Sequence, residues 1–489
     1  MSGTARATPW RLEWRLFHGD RTVRVLALAF TALLGVAAAT GRGWVAFQRE
    51  TIQRVTEAER ARYDSMAATA ARYAAGDTAG RTPWTDPRMP NVVAGPRGGR
   101  YVALPPTPLA PLAVGQSDVL PYYTRVTNGA KLGFAGSDEI ENPLNLLTGR
   151  FDLAFALIIV FPLLILVLTF NVTAGEREGG TLGLLLALPE APGRLLGRKL
   201  LLRGGAAIGV ALLGTSVVAL ATGGAAAPGR LALVLVLVAA YGLFWLGISA
   251  TINAMGRGSG TSAVMALAAW LVVVVLAPTL FGAAVSVALP PPSRVALMTE
   301  LRETSDAVNA RGEALLQKYY LDHPEMMGGG GGNMKNFALR AAVVAEELDQ
   351  AMAPAMTAFD AAVRAQLALA DRWRYASPAL VAHGALLDLA GTSSARYRAF
   401  DTQVDAFHRA WRQYFTPGLV SGAMLTPADL GALPQFTFVE ESLGTVAARV
   451  LPGLALLVLL GAGLLVLLGA GLLLFSVRRL GATGVVAGR

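Results

Sequence analysis

Glu176, Arg177 and Glu178 stand together in TAGEREGGTLGLLLALP, residues 173–189, within a chain of which only 15% is charged. Carboxylates flanking a guanidinium suit ion-pair recognition. They have no partner here for bond-breaking chemistry. The sequence contains no H-E-x-x-H zinc motif and no G-x-S-x-G nucleophile elbow, the arrangements that hold a hydrolytic metal or expose a reactive serine. The string nearest to a phosphate-binding loop, GRLLGRKL from Gly193, is one residue short between its glycines and lacks the Ser or Thr that would meet magnesium. His323, Met326, Met327 and Met334 are soft or borderline metal donors. They flank a five-glycine run too flexible to hold ligands in place, so no metal site is expected. His18, His383 and His408 occur singly and read as surface or packed residues. Asp152 follows Arg150 at the start of a long apolar run. There it would cap a helix and meet the positive end of its dipole, helped by Thr148 or Asn145. Alternatively, it would line the mouth of a route through a membrane.

The elements that must position these residues are apolar. The 489 residues are 54% hydrophobic with a mean hydropathy of +0.48, against about 25% charged residues in an ordinary soluble domain. A net charge of +9 would point to nucleic acid in a soluble protein. Here Arg clusters beside the apolar runs, so the expected partner is anionic lipid, with no nucleic acid. The absence of cysteine excludes disulfides, haem thioethers and thiolate metal sites.

A crossing helix needs about 20 mostly apolar residues. The hydropathy pattern places spans at 23–47, 151–171, 200–222, 230–252, 261–289 and 447–476, with Pro278 expected to kink the fifth. Arg6 to Arg24, Arg177 to Arg203, Arg257 and Arg478 to Arg489 fall on one side if the spans alternate. That side reads as cytoplasm, with both termini inside. Residues 1–22, with Trp10, Trp14 and Phe17 on one face, read as a helix lying in the headgroup region. Residues 172–199 form a cytoplasmic segment and 477–489 a cytoplasmic tail. Two insertions, 48–150 and 290–446, then lie outside. The first opens helically and is expected to be irregular over 80–121, where Pro and Gly abound. The second carries apolar stripes at helical spacing, from Phe337 to Leu367 and from Tyr397 to Trp411. It therefore reads as a mainly helical extracytoplasmic domain. In the last span Gly461, Gly463, Gly469 and Gly471 offer a close-packing face for another helix or a second subunit.

Glu176, Gly180, Thr181 and Leu182 reproduce the E-x-x-x-G-T-L signature that follows the second span of ABC-2-type transporter permeases, and the chain resembles that family. NPLNLLTGRFDLAFALIIVFPLLILVL from Asn142, YYLDHPE at 319–325 and the stretch 377–411 resemble its branch with large insertions after the first and fifth spans. Related permeases include one used in copper-site maturation of nitrous oxide reductase. The resemblance implies an all-α membrane protein with the six-helix ABC-2-type exporter fold, in a bacterial inner membrane. It also implies a non-catalytic subunit, paired with a second copy or a paralogue. A separate cytoplasmic ABC ATPase dimer would bind ATP and Mg, while this chain binds no cofactor. By the same resemblance, Glu176, Arg177, Glu178, Gly179, Gly180, Thr181 and Leu182 would introduce a short coupling helix under the bilayer. Asn142, Pro143, Thr148, Gly149 and Asp152 would form the motif at the outer mouth. The competing expectation is a non-transporting membrane scaffold or sensor whose outer domain binds a periplasmic partner.

Overall fold

The computed structural model describes residues 19–77, 79–82, 84–131, 150–181, 192–324 and 336–484, without the side chains of 192–195 and 467–484. The interfacial helix expected over 1–22, Asn142, Pro143, Thr148, Gly149, Leu182 and Met326, Met327 and Met334 lie outside the described residues or, for 1–22, almost wholly so. The chain is mainly helical, and among the described residues six helices are long and apolar enough to cross a membrane.

The first, α1 (Arg21–Ala74), is capped by Asp20, whose carboxylate accepts the Thr22 N–H at 2.9 Å. Its 54 residues extend to about 80 Å at 1.5 Å per residue, far beyond the hydrocarbon thickness of about 30 Å. The span and the opening helix of the first insertion are thus one rod. No proline falls between Arg21 and Ala74 to break it. The other five are α3 (Leu153–Glu178), α4 (Pro192–Ala221, spanning from Leu196), α5 (Pro228–Ala254), α6 (Ser259–Ala288) and α13 (Leu443–Gly484, spanning to Val466). α5 lies at the centre, with Tyr241, Phe244 and Trp245 buried against α3 and its neighbours. α5 and α13 approach each other closely, backbone included. A Cβ on Gly461 would lie 2.8 Å from the Phe244 nitrogen, and one on Gly247 would lie 2.9 Å from the Leu464 Cβ. Gly463 faces open space.

Two spans are not regular. α3 contains a π-turn at Ala156–Val160 just before Pro162. α6 contains another at Leu271–Leu276 just before Pro278. The expected proline kink in the fifth span is therefore a widened turn that precedes the ring.

In the first insertion, 80–121 is not wholly irregular. β1 (Arg100–Ala103) pairs antiparallel with β2 (Tyr123–Val126), Arg100 opposite Val126, next to the short helix α2 (Pro90–Ala94). A 3-10 turn at Ala110–Leu112 presses on α1, where a Cβ on Gly41 would lie 2.1 Å from the Pro111 carbonyl oxygen. The second insertion consists of α7 (Arg294–Ala310), α8 (Gly312–Asp322), α9 (Phe337–Trp373), α10 (Pro378–Ala390), α11 (Ser394–Ser421) and α12 (Pro427–Gly431). α11 buries Phe400, Val404, Phe407, Trp411, Phe415 and Leu419 against the first insertion's Tyr63, Val93, Val102 and Val126. The two insertions therefore share one core. α9 buries Leu339, Ala345, Leu348 and Met352, while Phe337 is exposed. α10 departs from the expectation that this whole insertion lies outside. It is apolar, and it packs among the spans against α5, α13 and the π-turn of α6.

Candidate functional site

The charged triplet lies at the end of α3. The helix of this span pauses after Thr169 and resumes as Val172–Glu178. The pause is pinned from α5. Buried Asn253 donates from Nδ2 to the Thr169 carbonyl at 2.8 Å, and its Oδ1 accepts the Thr173 N–H at 2.9 Å. Ser249, one turn earlier on α5, donates its hydroxyl to Thr169 Oγ1 at 2.7 Å. One amide thus supplies both the donor and the acceptor that the broken ladder has lost.

Gly179, Gly180 and Thr181 stop this last helix. Gly180 has φ +72°. Its N–H donates to the Arg177 carbonyl at 3.1 Å, and the Thr181 N–H donates to the Glu176 carbonyl at 3.0 Å. That is a Schellman C-cap, with glycine at the left-handed position. The Thr181 hydroxyl also bonds the Glu176 carboxylate.

Each charge of the triplet is engaged by a different neighbour. Glu176 pairs with Lys199 of α4. Arg177 donates to the Gly256 carbonyl in the α5–α6 turn. Glu178 accepts the Ser259 N–H at 2.7 Å, at the first turn of α6, where a carboxylate meets an unpaired amide and the helix dipole. Six of the seven residues expected at this element, Glu176 to Thr181, are therefore one contiguous ledge that ties α3 to α4, α5 and α6. Leu182 lies outside the described residues.

Asp152 is at the far end of the same span. Its Oδ1 accepts the Phe155 N–H at 2.9 Å and its Oδ2 the Val114 N–H at 2.7 Å, with 5% of the residue exposed. Both oxygens serve as a cap and a tie to the first insertion, as the capping reading expects. Nearby, Arg150 lies 4.1 Å over the Trp44 ring and donates to Asp118 at 3.0 Å.

Two further groups went beyond the sequence reading, which had only the kink expected at Pro278. The π-turns shift the helical ladder by one residue, and side chains from neighbouring helices meet the carbonyls there. Tyr241 OH donates to Ile158 at 3.0 Å and Trp270 Nε1 to Ile159 at 2.9 Å. Ser377, the N-cap of α10, donates to Val273 at 3.2 Å. At the end of the spans that bears the insertions, an ion-pair belt joins span to domain. Arg396 of α11 chelates Glu440 at 2.6–3.1 Å and donates to the Gly391 and Pro105 carbonyls. Arg230 of α5 lies 3.5 Å from Glu440. Arg449 of α13 holds Glu441 at 2.8 Å and lies 3.5 Å from Asp388 of α10. The Arg449 guanidinium outweighs partial burial and keeps the Glu441 carboxyl below its usual range. Among the described residues, no group of three or more His, Cys, Asp or Glu is arranged to hold a metal.

Residues 294–439 are similar to a family described as a domain of unknown function, DUF3526. The matched interval begins at the first residue of α7 and ends just before Glu440, so it covers the second insertion, α10 included. No curated protein and no solved structure matches the chain.

Proposed function

We propose that this chain is the membrane-spanning subunit of an ABC-2-type transporter. In this role it couples ATP hydrolysis by a separate ATPase to export of a substrate, or to a mechanical signal, across a bacterial inner membrane. The observation that carries the reading is the ledge Val172–Thr181. It bears the signature Glu176, Gly180 and Thr181, leaves α3 at a pinned break, and is bonded to three other spans. A force applied to it would reach α3, α4, α5 and α6 together. The charges would act as a harness between spans rather than as free hooks, leaving the following segment from Leu182 to meet the ATPase.

In this reading the ledge and both termini face the cytoplasm and the insertions face outward. ATP and Mg belong to the ATPase dimer, and a second copy or paralogue completes the pair of permeases. The chain itself performs no catalysis. The belt from Arg230 and Arg449 to Arg396 would pass movement of α5 and α13 to the outer domain.

The test is affinity purification of the tagged chain from its native membrane, followed by ATPase assay of the complex. A Glu176→Lys plus Gly180→Pro variant should assemble poorly with the ATPase or lose stimulated turnover. Normal assembly and turnover in that variant, or a complex without an ATPase, would overturn the coupling role. The second of these outcomes favours a scaffold or sensor. Sidedness is read on the cysteine-free background. A cysteine at exposed Thr181 should label only after permeabilisation, and one at exposed Gln413 should label from outside. Buried Ser377 is unsuitable for labelling.

A further inference from the structure

A trough of about 400 Å³ lies in the second insertion, between α8, α9 and α11. That volume is in the range of sites that enclose a small organic ligand. Each helix presents one face to it. Leu315, Lys318, Tyr319 and Asp322 follow one another at steps of three, one and three along α8. Leu339, Ala342, Val343, Glu346, Glu347 and Gln350 alternate steps of three and one along α9. The floor is apolar, with Leu339 and Leu419 buried. Tyr319 and His323 form an aromatic wall with ring centres 4.6 Å apart. The walls also carry charges of both signs.

Part of that charge is already used. Arg412 is bound to Glu346 at 2.7 Å and to Asp349 at 3.0 Å. Among the described residues, Lys318, Asp322 and Glu347 have no ion-pair or hydrogen-bond partner. Two carboxylates and one ammonium thus remain to meet a ligand above an apolar floor. An unpartnered excess of carboxylate disfavours phosphates and other anions. The trough also lies away from the point where α9 meets the spans. α9 reaches the spans at Gln366, which donates to the Leu289 carbonyl at 3.2 Å. Glu346 lies twenty residues earlier on the same helix, about 30 Å along it at 1.5 Å per residue.

We propose that this trough binds a short peptide that carries a basic group. The ammonium or guanidinium would sit between Asp322 and Glu347, apolar side chains on Leu339 and Leu419, and a carboxylate at Lys318. The site is independent of the transport reading, because it needs neither an ATPase nor movement of the spans. Its chemistry would be met by a free peptide or by an internal segment of a larger polypeptide.

The purified full chain in lipid nanodiscs is mixed with an equimolar library of tripeptides with central Leu and flanking Lys, Glu or Ser. Bound species are read by mass spectrometry. Lys-containing tripeptides should be enriched at least tenfold over Glu-containing ones, and Asp322→Asn plus Glu347→Gln should abolish the preference. Lys318→Met should weaken binding only of peptides with a free carboxyl terminus. A parallel library, acetylated and amidated, separates the sources: equal enrichment means an internal segment, and loss means a free peptide. Among the described residues the altered side chains make no ion pair or hydrogen bond, so the variants should keep the parent's thermal transition. Absence of enrichment in both libraries, or an unchanged preference in the double variant, would overturn the proposal.

Discussion

Asn253 shows how much can rest on one amide. A single interhelical hydrogen bond within a membrane averages about 0.6 kcal/mol, so a simple tie could be removed at little cost. Asn253 does more, because it satisfies a carbonyl and an N–H that the break in α3 strips of helical partners. Leaving a buried backbone group unpaired costs about 1–3 kcal/mol. We therefore expect Asn253→Leu to destabilise the chain by about 2–3 kcal/mol, read as a lowered thermal midpoint, with faster amide exchange centred on Thr173. Exchange confined to other regions would refute the pin. A lone Asn near the end of a span looks in sequence like any interfacial polar residue, so nothing marked it. Asp152 was legible because capping is a local rule: a carboxylate just before an apolar run meets amides a few residues away. His408 is a second test at this scale. Burial, with Arg412 beside it, pushes its imidazole below the usual range, and Nε2 lies 3.0 Å from the Gly129 carbonyl oxygen. The unfolded chain therefore binds a proton first, at about pH 6.5. The stability due to neutral His408 is complete above that pH and is lost as the pH falls from there through the folded value, by at most about 1.4 kcal/mol per pH unit. Denaturant midpoints measured between pH 5 and 7 should flatten in His408→Gln.

Elements were legible where their periodicity is long and lost where they are short or composed like their neighbours. The six apolar stretches and the stripe from Phe400 to Trp411 repeat over many turns, and those helices are present. β1 and β2 are four residues each, with Arg100 and Arg125 among them, and no alternation that short stands out. α10 has thirteen residues, too few to cross a bilayer of about 30 Å at 1.5 Å per residue. It therefore read as part of a soluble domain. Tertiary packing turns it inward, and its N-cap Ser377 reaches the π-turn of α6. The π-turns had only their prolines as a signal, and proline announces a disturbed ladder without saying which carbonyl is freed. If Trp270 stabilises the π-turn of α3 through the Ile159 carbonyl, Trp270→Phe keeps the ring in place and removes one bond. The expected loss is about 1 kcal/mol, with exchange quickening around Ile159 to Leu164 while the two insertions are unaffected. A uniform loss of protection would instead mean that the indole only fills space.

At the scale of the molecule, the question is whether the spans and the two insertions behave as one body. α1 runs unbroken from one into the other, the two insertions share a core, and α10 packs against α5 and α13, while Arg396, Arg230 and Arg449 add an ionic join to the same two spans. Arg396 is the centre of that join. Its side chain is 5% exposed, whereas that of Glu440 is 40% exposed. Removing one partner of a fully buried pair costs about 3–5 kcal/mol, while exposed pairs contribute about 0–1 kcal/mol. The half-wet geometry here argues for about 2 kcal/mol on Arg396→Met, because the Gly391 and Pro105 carbonyls also lose their donor. Glu440→Gln should cost less, since its oxygens can turn to water and Arg396 keeps both carbonyls. The effect should be local to the join. Val439, whose N–H is held by Gln403 at 2.8 Å, should exchange about 30-fold faster in Arg396→Met, as 1.4 kcal/mol per tenfold requires. The ledge near Glu176 should be unchanged. Exchange at Val439 within threefold of the parent would mean that α1, α10 and the shared core hold the domain to the spans without help from Arg396.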